Sequence, residues 1–143
     1  MDVANGTLVV SVAKVFQCLS QVADILQNIH SRGLVHNDVK PANITIEVDK
    51  DNKVKVTLVD LGLMTAVGER SAEGVSPSDY RRIEKRRRLY CTHMAPEFCY
   101  GLPVDTSSDV FSLGVTMFYM MRKLDVTSAA LQEVIQGATA TLP

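Results

Sequence analysis

The sequence predicts an α+β fold, mainly helical with one small β-hairpin, and three observations predict it. Apolar residues recur at Val12, Val15, Phe16, Leu19, Val22, Ala23, Leu26 and Ile29, the spacing of one buried helical stripe. Residues 44–48 (ITIEV) and 54–59 (VKVTLV) alternate and are rich in β-branched side chains, which suits paired strands. Residues 109–121 are apolar on nearly every face and follow Asp105-Thr106-Ser107-Ser108, four residues with N-cap chemistry.

Taken in order, the first helix is expected over residues 12–29 and should stop at Gly33, just after Ser31-Arg32. The hairpin turns through Asp49-Lys50-Asp51-Asn52 and ends in Asp60-Leu61-Gly62. Residues 65–90 lose apolar periodicity, contain Gly, Ser and Pro, and include the basic run 81–88 (RRIEKRRR). They read as a long surface loop, and such loops in compact domains tend to carry function. The second helix, apolar all round, should be central. A weaker helical pattern covers 129–135 and ends near Gly137. Phe16, Phe111, Phe118, Met117, Met120 and Met121 read as core.

Composition excludes several function classes. At 143 residues, 46% hydrophobic and 22% charged, the chain suits one soluble globular domain with a real core. A net charge of −1 offers no field for nucleic acid or an anionic membrane. Three cysteines, Cys18, Cys91 and Cys99, form no Cys-x-x-Cys pair, which argues against a disulfide framework or zinc knuckle and suits a reducing compartment. The first ten residues lack a basic n-region and a long apolar core. The best apolar run, 110–121, is interrupted by Ser112, Gly114 and Thr116. The expectation is an intracellular, cytosolic protein, with the nucleus also open to it.

The chemistry concentrates in residues 34–44, LVHNDVKPANI. A hairpin brings its two ends together, so Asp38, Asn43 and Asp60 should converge on one site. One carboxylate and one amide supply the hard oxygen ligands that Mg²⁺ prefers, and a second carboxylate is left as a base. Lys40 adds a mobile positive charge two residues from Asp38. This set suits phosphoryl transfer, where positioning and charge neutralisation do most of the work.

The order His36-x-Asp38-x-Lys40-Pro41-x-Asn43, then Asp60-Leu61-Gly62, then Ala95-Pro96-Glu97, then Asp109-Val110-Phe111-Ser112-Leu113-Gly114 resembles the C-terminal lobe of a protein kinase. The resemblance implies that Asp38 is the catalytic base and that Lys40 neutralises the transferring phosphate of ATP. It implies Asn43 and Asp60 as ligands of Mg²⁺, Glu97 as the anchor of the activation segment, and Asp109 as a brace on the catalytic loop backbone. His36 takes a structural role. Ala4-Asn5-Gly6-Thr7-Leu8 is similar to the segment after the kinase hinge, and Ile135-Gln136-Gly137 with Leu142-Pro143 resembles the helix G region. The resemblance thus covers residues 1–143 as a partial kinase domain, with a protein Ser/Thr substrate, ATP and Mg²⁺ as implied partners.

Four departures matter. The 143 residues hold no Gly-x-Gly-x-x-Gly loop and no Val-Ala-x-Lys strand, so the N-terminal lobe and the last helices are expected to be absent and turnover by this chain alone negligible. Glu97 should then lack its usual arginine partner. Asn37 stands where the family has the arginine that receives the activation-loop phosphate. Leu61 stands for the usual Phe, and Tyr90 for the threonine that commonly bonds the catalytic Asp and Lys. His-Asn-Asp also occurs in choline- and aminoglycoside-type phosphotransferases, which form the alternative enzyme class. A pseudokinase or regulatory module is the non-enzyme alternative. The basic run 81–88 reads as a solvated loop, with a docking patch as the sharper alternative. His30, His93 and the cysteines read as core or surface residues.

Overall fold

The computed structural model describes residues 12–70, 93–123, 125 and 128–140, together with two short strands near the N-terminus. The basic run 81–88, Tyr90, Cys91 and Leu142-Pro143 lie outside the described residues. Strands β1 (Val3–Ala4) and β2 (Thr7–Leu8) pair antiparallel. Helix α1 (Val12–His30) follows, then β3 (Leu34–Val35), a 3₁₀ turn at Pro41–Asn43, and the hairpin β4 (Ile44–Val48) and β5 (Val54–Leu58). Strand β6 (Thr65–Ala66) pairs antiparallel with β3, Leu34 opposite Ala66 and Val35 opposite Thr65. Helices α2 (Pro96–Cys99), α3 (Thr106–Lys123) and α4 (Ala129–Thr139) complete the described chain. The mixture agrees with the α+β expectation. No helix among the described residues is long and apolar enough to cross a membrane.

Helix α1 forms where its periodicity predicts and buries one stripe, Val15, Cys18, Leu19, Val22 and Leu26. The stripe serves two clusters. Val15 and Leu19 pack with Met117 and Met121 of α3 and Leu131 and Ile135 of α4. Cys18, Val22 and Leu26 pack with Val39 and with Val56 of β5. Burial pushes the Cys18 thiol up from its ordinary value, against the pull of nearby Lys14, so Cys18 packs as a small apolar group. Gly33 ends the helix as expected: its φ is +72° and its N–H bonds to the His30 carbonyl at 2.9 Å.

Polar side chains of α1 hold the hairpin: Lys14 donates to Asn52 Oδ1 in the turn, and Gln21 reaches β5. Gln21 donates to the Val54 carbonyl at 2.7 Å and accepts from the Val56 N–H at 3.0 Å, filling the hydrogen bonds of the β5 edge. At the turn, Asp49 Oδ1 accepts from the backbone of Asp51 and Lys53 at 2.9 and 2.8 Å. The register sets Ile44 opposite Leu58, and the Val59 N–H reaches the Asn43 carbonyl at 2.8 Å. The two hairpin ends meet one residue before Asp60.

Helix α3 corrects the sequence reading in three ways. It begins at Thr106, capped by Asp105, whose Oδ1 accepts from the Thr106 N–H at 2.6 Å, and it extends to Lys123. Its inward face is largely polar: Ser108, Asp109, Ser112 and Thr116 are buried with Gly114, Met117 and Met121. Val110, Phe118 and Tyr119 are about half exposed, so Phe118 is not core, and neither is Phe16 on α1. The physical reason is that the inward polar groups find partners there: Asp109 and Thr116 bond to residues 36–39, Ser108 to Glu97 and Ser112 to the Ser108 carbonyl, which turns apolar neighbours outward. Helix α4 also runs past Gly137, to Thr139. There α3 and α4 approach closely at Gly114, where a Cβ would lie 2.8 Å from the Ala138 Cβ and 2.9 Å from the Thr139 Cγ2.

Candidate active site

The loop between β3 and the 3₁₀ turn is nearly sealed from solvent: His36, Asn37, Asp38, Val39 and Asn43 are all buried. Buried polar groups must be paired, and α3 supplies the largest share of partners. Asp109, itself 0% exposed, accepts from the backbone N–H of His36 at 2.8 Å and of Asn37 at 2.9 Å. It also accepts from His30 Nε2 of α1 at 2.7 Å. A carboxylate in the first helical turn is favoured by the helix dipole, and three donors offset its loss of water. The Thr116 hydroxyl adds a bond to the Val39 carbonyl at 3.2 Å. The backbone brace expected of Asp109 is therefore present. His30 was missed by sequence reasoning; nothing in a lone histidine at a helix end signals a partner 79 positions away.

Asn37 sits in the left-handed region at φ 67°, a conformation asparagine tolerates better than most residues. Its amide nitrogen donates to the Leu63 carbonyl at 2.9 Å and to the Thr65 hydroxyl at 2.8 Å, tying the loop to the start of β6. Further bonds hold the same stretch, Val67 N–H to the Gly33 carbonyl at 2.9 Å and Gly68 N–H to the Val104 carbonyl at 2.8 Å. His36 Nδ1 accepts from the Asp38 N–H at 3.2 Å, so its Nε2 carries the ring proton. Among the described residues neither that nitrogen nor Asn37 Oδ1, both buried, has a hydrogen-bond partner. Each such group costs about 1–3 kcal/mol.

Asp38 is organised from both of its oxygens. Asn43 Nδ2 donates to Oδ2 and to the Asp38 backbone carbonyl, each at 2.9 Å. The Lys40 ammonium lies 3.3 Å from Oδ2 with its side chain about a third exposed. Oδ1 meets His93 Nε2 at 2.8 Å. Three of the four residues singled out from the sequence, Asp38, Lys40 and Asn43, are thus in direct contact. Asp60 stands apart in character: it is exposed, at φ 62°, and its Oδ1 accepts from the Gly62 N–H at 3.2 Å. The hairpin places it one residue along from the hydrogen-bonded Asn43–Val59 pair, and among the described residues it makes no hydrogen bond or ion pair to Asp38 or Asn43. The donor chemistry fits a hard divalent cation, since the Asn43 NH₂ is committed to Asp38 and its amide oxygen is the end left over.

Glu97 Oε1 accepts a short hydrogen bond from the Ser108 hydroxyl of α3, a partner the sequence reading does not name. Ser108 also accepts from the Asp105 N–H at 3.2 Å, so one hydroxyl links the α2 carboxylate to the start of α3. Val35, Phe98 and Val104 bury one another beneath this junction.

A family model described as protein kinase domain matches residues 1–140. The chain is 35% identical over 107 residues to serine/threonine-protein kinase Pkn1 of Myxococcus xanthus, covering 75% of this chain and 14% of that protein. It is 36% identical over 110 residues to serine/threonine-protein kinase SBK1 of Danio rerio, covering 73% of this chain and 25% of the relative. Eukaryotic translation initiation factor 2-alpha kinase 3 of Rattus norvegicus is 32% identical over 110 residues, covering 71% of this chain and 9% of the relative. The chain therefore spans a quarter or less of the length of these relatives. With a loop braced from α3, a carboxylate held by Asn43 and Lys40, and a family match along nearly its whole length, the chain belongs to the protein kinase family.

Proposed function

We propose that residues 1–143 form part of a cytosolic kinase domain, from about the hinge to helix G, that serves transfer of the ATP γ-phosphoryl group to serine or threonine hydroxyls of a protein substrate. The observation that carries this reading is the hold on Asp38 Oδ2 by Asn43 at 2.9 Å and Lys40 at 3.3 Å. In this reading Asp38 orients the substrate hydroxyl and takes its proton. Lys40 reaches from a partly exposed position to the transferring phosphate. Asn43 Oδ1 and the Asp60 carboxylate would hold Mg²⁺, which when bound neutralises phosphate charge. The names of the relatives support Ser/Thr specificity over the small-molecule alternative, as do Lys40-Pro41 and Ala95-Pro96-Glu97.

The 143 residues carry one side of such a site, without a Gly-rich loop, so we expect negligible turnover from this polypeptide alone. Efficient Mg²⁺-dependent phosphorylation of a peptide by the purified chain, abolished by Asp38→Asn, would overturn that expectation. Grafting the N-terminal lobe of the Danio rerio relative ahead of Met1 tests the larger claim. The expected result is MgATP-dependent phosphorylation of Ser/Thr peptides that Asp38→Asn removes. ATP binding without transfer would sink the enzyme reading in favour of a regulatory module. Transfer to choline or an aminoglycoside, but to no peptide, would favour the small-molecule class to which Asn37 points.

A further inference from the structure

We infer that His93 is a positioning residue for Asp38, and that it leaves Oδ1 as the oxygen that receives the substrate hydroxyl. This deepens the kinase reading and rests on it. Each carboxylate oxygen offers two lone pairs. Asn43 and Lys40 together occupy Oδ2. Among the described residues Oδ1 has one partner, His93 Nε2 at 2.8 Å, and so keeps one lone pair for an incoming hydroxyl. An ionised carboxylate only accepts, so the His93 Nε2 must carry a proton. The pair is well shielded, with side-chain exposures of 13% for His93 and 6% for Asp38, which strengthens a charge-assisted bond.

The consequence is a mechanical link. Without His93, the described side-chain partners of Asp38 all sit on Oδ2, and its carboxyl plane can swing about the Cβ–Cγ bond. With His93 in place both oxygens are fixed. His93 lies two residues before Ala95, the buried N-cap residue of α2, so the base is coupled to the backbone leading into Ala95-Pro96-Glu97. The other side of the loop is tied to Leu63 and Thr65 through Asn37. One loop is thereby fastened to segments on either side of residues 71–92, at 63–65 and at 93, by two neighbouring side chains.

The test needs no ATP. NMR of the 143-residue chain, labelled with ¹⁵N in histidine rings and asparagine side chains, reads the His93 tautomer and the exchange protection of the Asn43 amide protons. His93 is expected as the Nε2–H form, or doubly protonated, with its Nε2 proton protected. In His93→Ala, Asn43 protection should fall roughly tenfold or more, the scale of a lost hydrogen bond to a charged group. His93→Gln, whose amide can still donate to Oδ1, should restore most of it. The His30 ring signals, held by Asp109 across the loop, should be unchanged and so report that the fold is intact. Unchanged Asn43 protection in His93→Ala overturns the inference. So does a wild-type His93 protonated only on Nδ1, a readout that survives even if the alanine variant fails to fold. The grafted-lobe phosphotransfer assay fails or succeeds separately, which keeps the two readings distinguishable.

Discussion

The loop at 36–43 and the turn at 60–62 carry the two carboxylates of one candidate site, and they are built in opposite ways. Each contains a non-glycine residue in the left-handed region, Asn37 at φ 67° and Asp60 at φ 62°. That conformation costs about 1–2 kcal/mol per residue, less for Asn and Asp. In the loop the strain is over-determined: Asp109 holds the Asn37 N–H, and the Asn37 amide holds Leu63 and Thr65. In the turn Asp60 is exposed and makes one local bond to the Gly62 N–H. Asp38 is therefore positioned before any ligand arrives, while the Asp60 carboxylate has the most to gain from an external partner. Strain of this kind persists where surroundings enforce it, and collects where function uses it.

That contrast can be broken most severely at its anchor. Asp109→Ala strips two buried backbone N–H groups and His30 of their common acceptor, and should cost about 3–5 kcal/mol in chemical denaturation. A loss below about 1 kcal/mol would mean the loop does not depend on α3. Asn37→Gly keeps the left-handed backbone and deletes the amide, so it separates the dihedral from the latch. The expected loss is about 1–3 kcal/mol, with faster amide exchange at 65–67; an unchanged midpoint would show that Leu63 and Thr65 are held without Asn37. Asp60→Gly should lie at the small end, within about 1 kcal/mol and of either sign, because glycine relieves the dihedral while the carboxylate has little to lose. In the grafted protein the same change should abolish the Mg²⁺ requirement for nucleotide binding. A large stability loss there would place Asp60 with the loop and erase the comparison.

Legibility differed by element. Helix α1 could be read from its spacing, and the hairpin from its alternation, because each follows from a local period matched to one buried face. Asp38, Lys40 and Asn43 were legible as a group because eight residues of chain contain His36 and all three of them. Helix α3 was readable as a helix and misread as to face. Period alone places apolar residues inward, yet Ser108, Asp109, Ser112 and Thr116 went inward, Asp109 and Thr116 to meet the loop, while Phe118 turned out. His30, Gln21 and His93 were not legible as partners at all. Each acts through a contact with a residue 33 or more positions away, and single-residue chemistry carries no address.

The partner of Glu97 teaches the same point in a smaller way. Its usual arginine was expected to be missing, and a hydroxyl eleven residues on supplies a donor that the sequence reading did not name. What the sequence determined by itself was the set of elements and the chemical kinds of group available: a helix with one apolar stripe, a hairpin, a polar loop with a base, a cation and an amide. Local periodicity and turn chemistry act over a few residues, so they are written along the chain. Only the tertiary structure decided which oxygens those groups share, that α3 would spend its inner face on the loop, and that His93 would reach Asp38. Such pairings depend on where distant backbone segments come to rest once the apolar stripes are buried, and the chain does not hold that distance information locally.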